Sequence, residues 1–99
     1  MGRLAFIWDL EEDPEGNYWH ICVAGHGVTQ QEVEQVVEEN YETATQSRSS
    51  GQPEVFGWTA NGKYLTVIFE SVSDDPLTVY PITAYEVPPP RTRKRRRKQ

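Results

Sequence analysis

The stretch that decides the fold is EVFGWTANGKYLTVIFE, residues 54–70. Two runs of β-favouring residues flank Asn61-Gly62, a dipeptide typical of a type I′ hairpin turn. We therefore predict strands over 54–59 and 64–70. Alternate residues of the second strand are apolar and should share one buried face, because side chains alternate across a strand. These residues are Leu65, Val67 and Phe69.

The chain after this hairpin predicts a third antiparallel strand. Asp74-Asp75-Pro76 turns it into a β-favouring run over 77–87. Pro81 cannot donate a ladder hydrogen bond, so it predicts an edge position or a bulge. A bulge would also place Tyr80 and Tyr85 on the same face, whereas strict alternation would separate them.

The chain before the hairpin contains the clearest helix. Thr29 and Glu32 have the spacing of a capping box, and Val28 and Val33 occupy the positions of a hydrophobic staple. Valines then recur at helical spacing, which predicts a helix from Gln30 to about Tyr41. The polar residues from Thr43 to Gln52 are predicted to form a loop.

The first 25 residues complete the predicted order. Leu4–Trp8 is a short apolar strand, and Asp13 before Pro14 is typical of a helix start, with the helix continuing to about Ala24. The order is β-α-α-β-β-β, an α+β domain with both helices on one face of an antiparallel meander. We place the domain at 1–87 and a proline-rich linker with a disordered basic tail at 88–99.

The charge of the chain is divided between body and tail. Residues 1–90 contain fifteen acidic and three basic side chains, a formal balance of −12, and the last nine residues add +7. Such a tail favours attraction to nucleic acid or the ribosome. A nuclear import signal, a docking peptide for an acidic partner and a solubility tail are alternatives. The acidic body could also attract the tail in cis.

The composition predicts a soluble, cytoplasmic protein without a cofactor. A single cysteine, Cys22, excludes an internal disulfide, and no segment has the length of a signal peptide or a membrane span. His20, Cys22 and His26 match no familiar zinc spacing, so no metal site is expected.

Several short pieces in a fixed order resemble one family. They are FIWD at 6–9, HGVT at 26–29 followed by Glu32, GWT at 57–59 followed by Gly62-Lys63, and VYPITA at 79–84. Over residues 6–86 the chain resembles the BrnT toxins of bacterial type II toxin–antitoxin modules. The resemblance implies a RelE-like fold, metal-independent RNA cleavage that inhibits translation, and a cognate antitoxin, commonly a small DNA-binding protein, as partner.

The resemblance and the available side chains predict a site. His26 or Glu54 would act as acid or base, and Arg48 and Tyr85 would contact phosphate. Trp58 and Tyr80 would stack on bases, although packing within the sheet is an alternative role for them. The tail residues that would hold nucleic acid are Arg91, Arg93, Lys94, Arg95, Arg96, Arg97 and Lys98.

The chain also departs from the BrnT pattern, in which arginines face the RNA site. The matching positions here are Trp58, Tyr80, Tyr85 and Glu86. This departure favours an alternative, a non-catalytic interaction module whose acidic second helix binds a basic partner while the tail holds nucleic acid. A third hypothesis is a small nucleic-acid-binding protein that acts through its tail alone.

Overall fold

The computed structural model describes residues 4–25 and 27–90, which form an α+β domain. Its strands are β1 (Ala5–Phe6), β2 (Thr45–Gln46), β3 (Pro53–Trp58), β4 (Tyr64–Asp74) and β5 (Leu77–Glu86). The sheet order is β1-β5-β4-β3-β2. The predicted meander of β3, β4 and β5 is confirmed, and β1 joins it parallel to β5. The five-stranded sheet is therefore mixed.

The strand β2 corrects the prediction of a loop over 43–52. Thr45 and Gln46 pair antiparallel with the start of β3. Backbone hydrogen bonds of Ser47 stabilise the turn between the two strands. Its amide donates to the Gln52 carbonyl at 2.7 Å, and its carbonyl accepts from the Gly51 amide at 2.8 Å. The composition of this segment is that of a turn, and a two-residue strand is too short to give a periodic signal.

The helix α1 spans Gln30–Asn40 and confirms the sequence prediction. Its capping box is formed as expected: the Glu32 amide donates to Thr29 Oγ1 at 3.1 Å, and the Thr29 amide donates to Glu32 Oε1 at 3.0 Å. Val28 and Val33 are both buried, as a hydrophobic staple requires. A single turn of 3₁₀-helix, Tyr41–Thr43, follows α1.

The first helix is shorter than predicted and has π geometry over Trp19–Val23. The prediction that it begins at Pro14 is wrong, because Asn17 holds the preceding chain against the sheet. Asn17 Nδ2 donates to the carbonyls of Ile7 and Pro81 at 3.0 and 2.9 Å. The residues before this anchor form turns, and the helical segment follows it.

The hairpin between β3 and β4 has a three-residue connection, so the predicted type I′ turn is wrong. The Thr59 amide donates to the Lys63 carbonyl at 2.8 Å, and the Gly62 amide donates to the Thr59 carbonyl at 3.1 Å. Gly62 adopts φ +90°, a left-handed conformation that glycine accepts without steric cost. This is the arrangement of a turn followed by a glycine bulge, which accommodates one residue more than the type I′ loop.

The core lies between α1, the π-helix and one face of the sheet. Leu65, Val67 and Phe69 are fully buried there, as the alternation in β4 predicts. Both helices contribute to this cluster, so their predicted position on one face is confirmed. The helical members and the neighbouring staple residue are Ile21, Val28, Val33, Val36 and Val37. No helix in the described part of the chain is long and apolar enough to cross a membrane.

Gly57 brings β3 close to α1, which gives a first prediction. A Cβ at this position would overlap the Asn40 side-chain amide and lie 3.3 Å from Val36 Cγ1. We expect Gly57→Ala to lower the free energy of unfolding by about 1–3 kcal/mol, the usual cost of overpacking. Urea denaturation measures this change, with the exposed Ser73→Ala as control. Equal stability of Gly57→Ala and wild type would contradict the close packing.

The bulge predicted in β5 is present. Ile68 pairs with Thr83, and the next residue, Phe69, pairs with Pro81, so Ile82 has no partner in β4. The extra residue changes the alternation of β5 between its two halves. Tyr80, opposite Glu70, therefore lies on the same face as Tyr85, opposite Thr66.

Candidate functional site

The face of the sheet opposite the helices carries most of the predicted site residues. We call it the open face and define it by the register of β3, β4 and β5. Its members are Glu54, Phe56, Trp58, Tyr64, Thr66, Ile68, Glu70, Tyr80, Thr83 and Tyr85. The structure thus places Glu54 on the same face as Trp58, Tyr80 and Tyr85, the three aromatic residues that the sequence allows on one face if β5 has a bulge.

Four aromatic side chains form the centre of this surface, and we call Phe56, Trp58, Tyr64 and Tyr85 the aromatic patch. The Tyr64 ring lies 4.9 Å from the Trp58 ring and 6.3 Å from the Phe56 ring, measured between centroids. Trp58 and Phe56 remain 49 and 42% exposed despite these contacts, and Tyr85, opposite Thr66 on the neighbouring strand, is 41% exposed. Exposed apolar clusters of this kind mark interaction sites more often than isolated exposed residues do.

Phe56 and Tyr64 were missed by the sequence analysis. Phe56 is two residues from Trp58 in the same strand and therefore on the same face. Tyr64 is the direct partner of Trp58 across the hairpin. The period-two pattern and the hairpin register could have identified both once Trp58 had been selected.

A polar cluster adjoins the patch. Thr66 Oγ1 donates to Glu54 Oε2 at 2.6 Å and lies 3.2 Å from the Val55 carbonyl oxygen. Thr66 is buried and lies between β3 and β5, so Glu54 and Tyr85 flank it on its two sides. Glu70 lies further along the same face and is exposed.

The open face has carboxylates but no cationic member. The arginine and lysine residues among positions 4–25 and 27–90 are Arg48 and Lys63. Lys63 Nζ donates to the Gly27 carbonyl at 2.7 Å and to Glu32 Oε1 at 3.2 Å, on the helical side. Arg48 is exposed in the turn between β2 and β3. Neither of them is a member of the open face, and His20 lines a cavity together with Tyr85.

Tyr80 is held at one corner of the open face by Asp9. Its hydroxyl donates to Asp9 Oδ2 at 2.6 Å, and the backbone amide of Asn17 donates to the same oxygen at 2.9 Å. The bond to Asp9, with burial and nearby acidic groups, raises the pKa of Tyr80 to about 12. The hydrogen bonds from Tyr80 and from the Asn17 amide lower the pKa of Asp9. Tyr80 therefore stabilises the fold and has its hydroxyl already engaged.

This contact predicts a loss of stability at high pH. Because the pKa of Tyr80 is raised on folding, its contribution is complete below the pKa of an unfolded tyrosine, about 10, and is lost as the pH rises through about 12. Tyr80→Phe should show a smaller fall in unfolding free energy over this range than wild type. Urea denaturation at pH 9 to 12 measures it, with Tyr85→Phe as control. An identical fall in both variants would contradict the role of Tyr80.

The acidic helix is less available to a partner than the sequence predicts. Glu32 is buried in the capping box and paired with Lys63, and Glu34 Oε2 accepts from Trp8 Nε1 at 2.9 Å. Burial would raise the pKa of Glu32, but the bonds from the Thr29 amide, Asn61 and Lys63 outweigh it and lower that pKa. The glutamates exposed on and just after α1 are Glu38, Glu39 and Glu42.

The remaining predicted site residues are not on the open face. His26 and the basic tail, from Arg91 to Lys98, lie outside the described residues. Arg48 belongs to the turn after β2. The chain leaves the sheet beside the patch, because the Val87 amide donates to the Tyr64 carbonyl at 2.9 Å.

Metal binding has no basis in the described geometry. Over residues 4–25 and 27–90, no three His, Cys, Asp or Glu side chains are grouped so that they could hold a metal ion. Cys22 is half-buried, and burial followed by the charge of Glu32 raises the pKa of its thiol. A raised thiol pKa disfavours the thiolate form that binds metals.

The fold and the site define the chain as an α+β domain with an exposed aromatic sheet face. Comparison with protein-family models, with curated proteins and with solved structures finds no match in any of the three.

Proposed function

We propose that this chain is a non-catalytic interaction module whose open face binds a cationic segment of a partner protein. The observation that carries the proposal is the composition of that face: three contacting aromatic rings and Tyr85, with the carboxylates Glu54 and Glu70 further along the strands and no arginine or lysine among its members. A surface of this composition attracts arginine and lysine and repels phosphate.

Aromatic rings and carboxylates recognise cations by complementary means. A guanidinium or ammonium group over the face of Trp58 or Tyr64 gains about 0.5–2 kcal/mol, depending on how far it is desolvated. A carboxylate such as Glu70, about 20 Å from Tyr64 along β4, pairs with a further cation of the same segment, and arginine does so with two parallel hydrogen bonds. Because Tyr64 already contacts both Trp58 and Phe56, few side-chain rotamers must be ordered on binding.

The identity of the partner follows from the resemblance to BrnT toxins. We assign the domain a RelE-like topology, supported by the β3-β4-β5 meander with both helices on one face. In this proposal the partner is an antitoxin, a small DNA-binding protein with basic segments. The tail at 91–98 adds attraction to nucleic acid in the assembled complex.

Binding of a cationic peptide to the purified protein tests the proposal. An octa-arginine peptide should bind at low salt and change the tryptophan fluorescence. Trp58→Ala should weaken binding by about tenfold, which corresponds to about 1.4 kcal/mol. Leu10→Ala, which removes an exposed apolar side chain outside the patch, is the matched control. Equal affinities of the two variants would contradict the assignment of the face.

Ribonuclease activity is a second candidate function, favoured by the position of Glu54 and Tyr85 on the two sides of Thr66. Glu54 would act as the base for the 2′-hydroxyl, and Tyr85 would contact the phosphate. Negative charge that accumulates on the phosphate in the transition state would be opposed by Glu54 and Glu70, so we favour the binding function.

Incubation of RNA with the purified protein, free of any partner, distinguishes the two functions. The binding function predicts intact RNA at stoichiometric protein concentration. RNA fragments that disappear with Glu54→Gln would instead establish the ribonuclease. His26→Ala belongs in the same series, since the resemblance gives this residue an acid–base role.

A further inference from the structure

We propose that the basic tail, residues 91–98, binds the open face of its own chain and competes with external cationic partners. The inference rests on the proposed function, because it uses the same face and the same chemistry. The new element is that the tail of the same chain occupies the open face when no partner is bound.

The point at which the chain leaves the sheet supports an intramolecular contact. Beyond the end of β5 at Glu86, the Val87 amide still donates to the Tyr64 carbonyl at 2.9 Å. Tyr64 is the ring that contacts both Trp58 and Phe56. The chain therefore leaves the sheet beside the aromatic patch, four residues before the tail.

The length of the tail is sufficient to reach across the face. Pro88-Pro89-Pro90 extends about 9 Å from the sheet, at roughly 3.1 Å per residue. The nine residues that follow span at most about 30 Å. The open face measures about 20 Å from Tyr64 to Glu70 along β4, at roughly 3.4 Å per residue. A tail that reverses direction after Pro90 can thus return over the patch and approach the carboxylates.

The charges of tail and face are complementary. Seven cations follow a body with a formal balance of −12. Glu54 and Glu70 form no ion pair with a cation of the described chain, in which Lys63–Glu32 is the one salt bridge. A short tether gives an effective concentration in the millimolar range, which exceeds that of a dilute external peptide. We therefore expect the tail to occupy the face at low ionic strength and to leave it as salt screens the charges.

The experiment compares wild type with a full-length tail-neutral variant. This variant carries Arg91→Gln, Arg93→Gln, Lys94→Gln, Arg95→Gln, Arg96→Gln, Arg97→Gln and Lys98→Gln. It changes no residue of the described domain. The probe is a fluorescent peptide with the sequence of residues 91–99, titrated at low salt and followed by anisotropy. We expect the tail-neutral variant to bind the peptide at least about tenfold more tightly than wild type does.

Each other outcome has a distinct meaning. Equal, measurable binding to both proteins would overturn the tail contact and leave the proposed function standing. No binding to either protein would overturn both. Wild type could also bind the peptide weakly because its tail occupies the face of a second copy. Light scattering would then detect a dimer of wild type that is absent in the tail-neutral variant. That result would contradict the intramolecular contact. A monomeric wild type supports it.

Discussion

Replacing Asn17 with alanine is expected to lower the free energy of unfolding by about 3 kcal/mol, which is a large part of the stability of a small domain. The buried side chain of Asn17 donates to the carbonyls of Ile7 and Pro81 and accepts from the Asp9 amide at 2.8 Å. Alanine would leave these three backbone groups without their partner. Each unsatisfied group that stays buried costs about 1–3 kcal/mol, and partial access of water reduces the total.

Urea denaturation of Asn17→Ala measures this effect. Gln31→Ala is the matched control, because Gln31 carries the same amide group in an exposed position on α1. A loss below about 1 kcal/mol for Asn17→Ala would contradict its role as the anchor between the first loop and β5.

Reversing the charge of Glu70 should weaken the binding of a cationic peptide by roughly tenfold at low salt. Glu70 is exposed on the open face, where Glu54 and Glu70 are the two carboxylates. Lysine at this position would both remove an attractive charge and add a repulsive one. The loss should diminish as salt increases, since exposed charges are screened.

Glu38→Lys is the matched control for this prediction. Glu38 is also exposed, but it lies on α1, which packs against the opposite face of the sheet. Both variants change the net charge by the same amount, so a difference between them reports the location of binding. If Glu38→Lys weakens binding as much as Glu70→Lys does, the peptide is attracted by the overall charge and not by the open face.

Most of the fold could be predicted because its patterns are local. The capping box at Thr29 and the valines that follow determine α1 within twelve residues. The alternation of Leu65, Val67 and Phe69 identifies the buried face of β4 without reference to its partners. The bulge in β5 followed from Pro81, whose missing N–H requires an irregular position in a sheet.

The parts that were predicted wrongly depend on contacts distant in sequence. The start of the π-helix is determined by Asn17, whose partner Pro81 is 64 residues away. The hairpin at Asn61-Gly62 has one residue more than a type I′ turn, and the hydroxyl of Thr59 supports it by accepting from the Lys63 amide at 3.0 Å. Composition alone does not distinguish these two connections.

Only part of the site could be predicted, because it too depends on contacts between residues that are distant in sequence. A bulge at Pro81 allowed Trp58, Tyr80 and Tyr85 to be placed on one face from the sequence, but the position of Glu54 on that surface appears only when the register of three strands is known. The contacts of two helix glutamates could not be predicted, because a sequence does not show that Glu34 bonds Trp8 or that Glu32 bonds Lys63. Charge on a helix indicates exposure only when no partner reaches it.

The most direct test of the central claim is the mapping of peptide binding by NMR. An octa-arginine peptide would be titrated into the ¹⁵N-labelled tail-neutral variant, in which the tail cannot compete. The account predicts chemical-shift changes at Phe56, Trp58, Tyr64 and Tyr85, including the Trp58 indole N–H, with little change along α1. Shift changes centred on Glu38, Glu39 and Glu42, or no change at all, would contradict the claim that the open face binds cations.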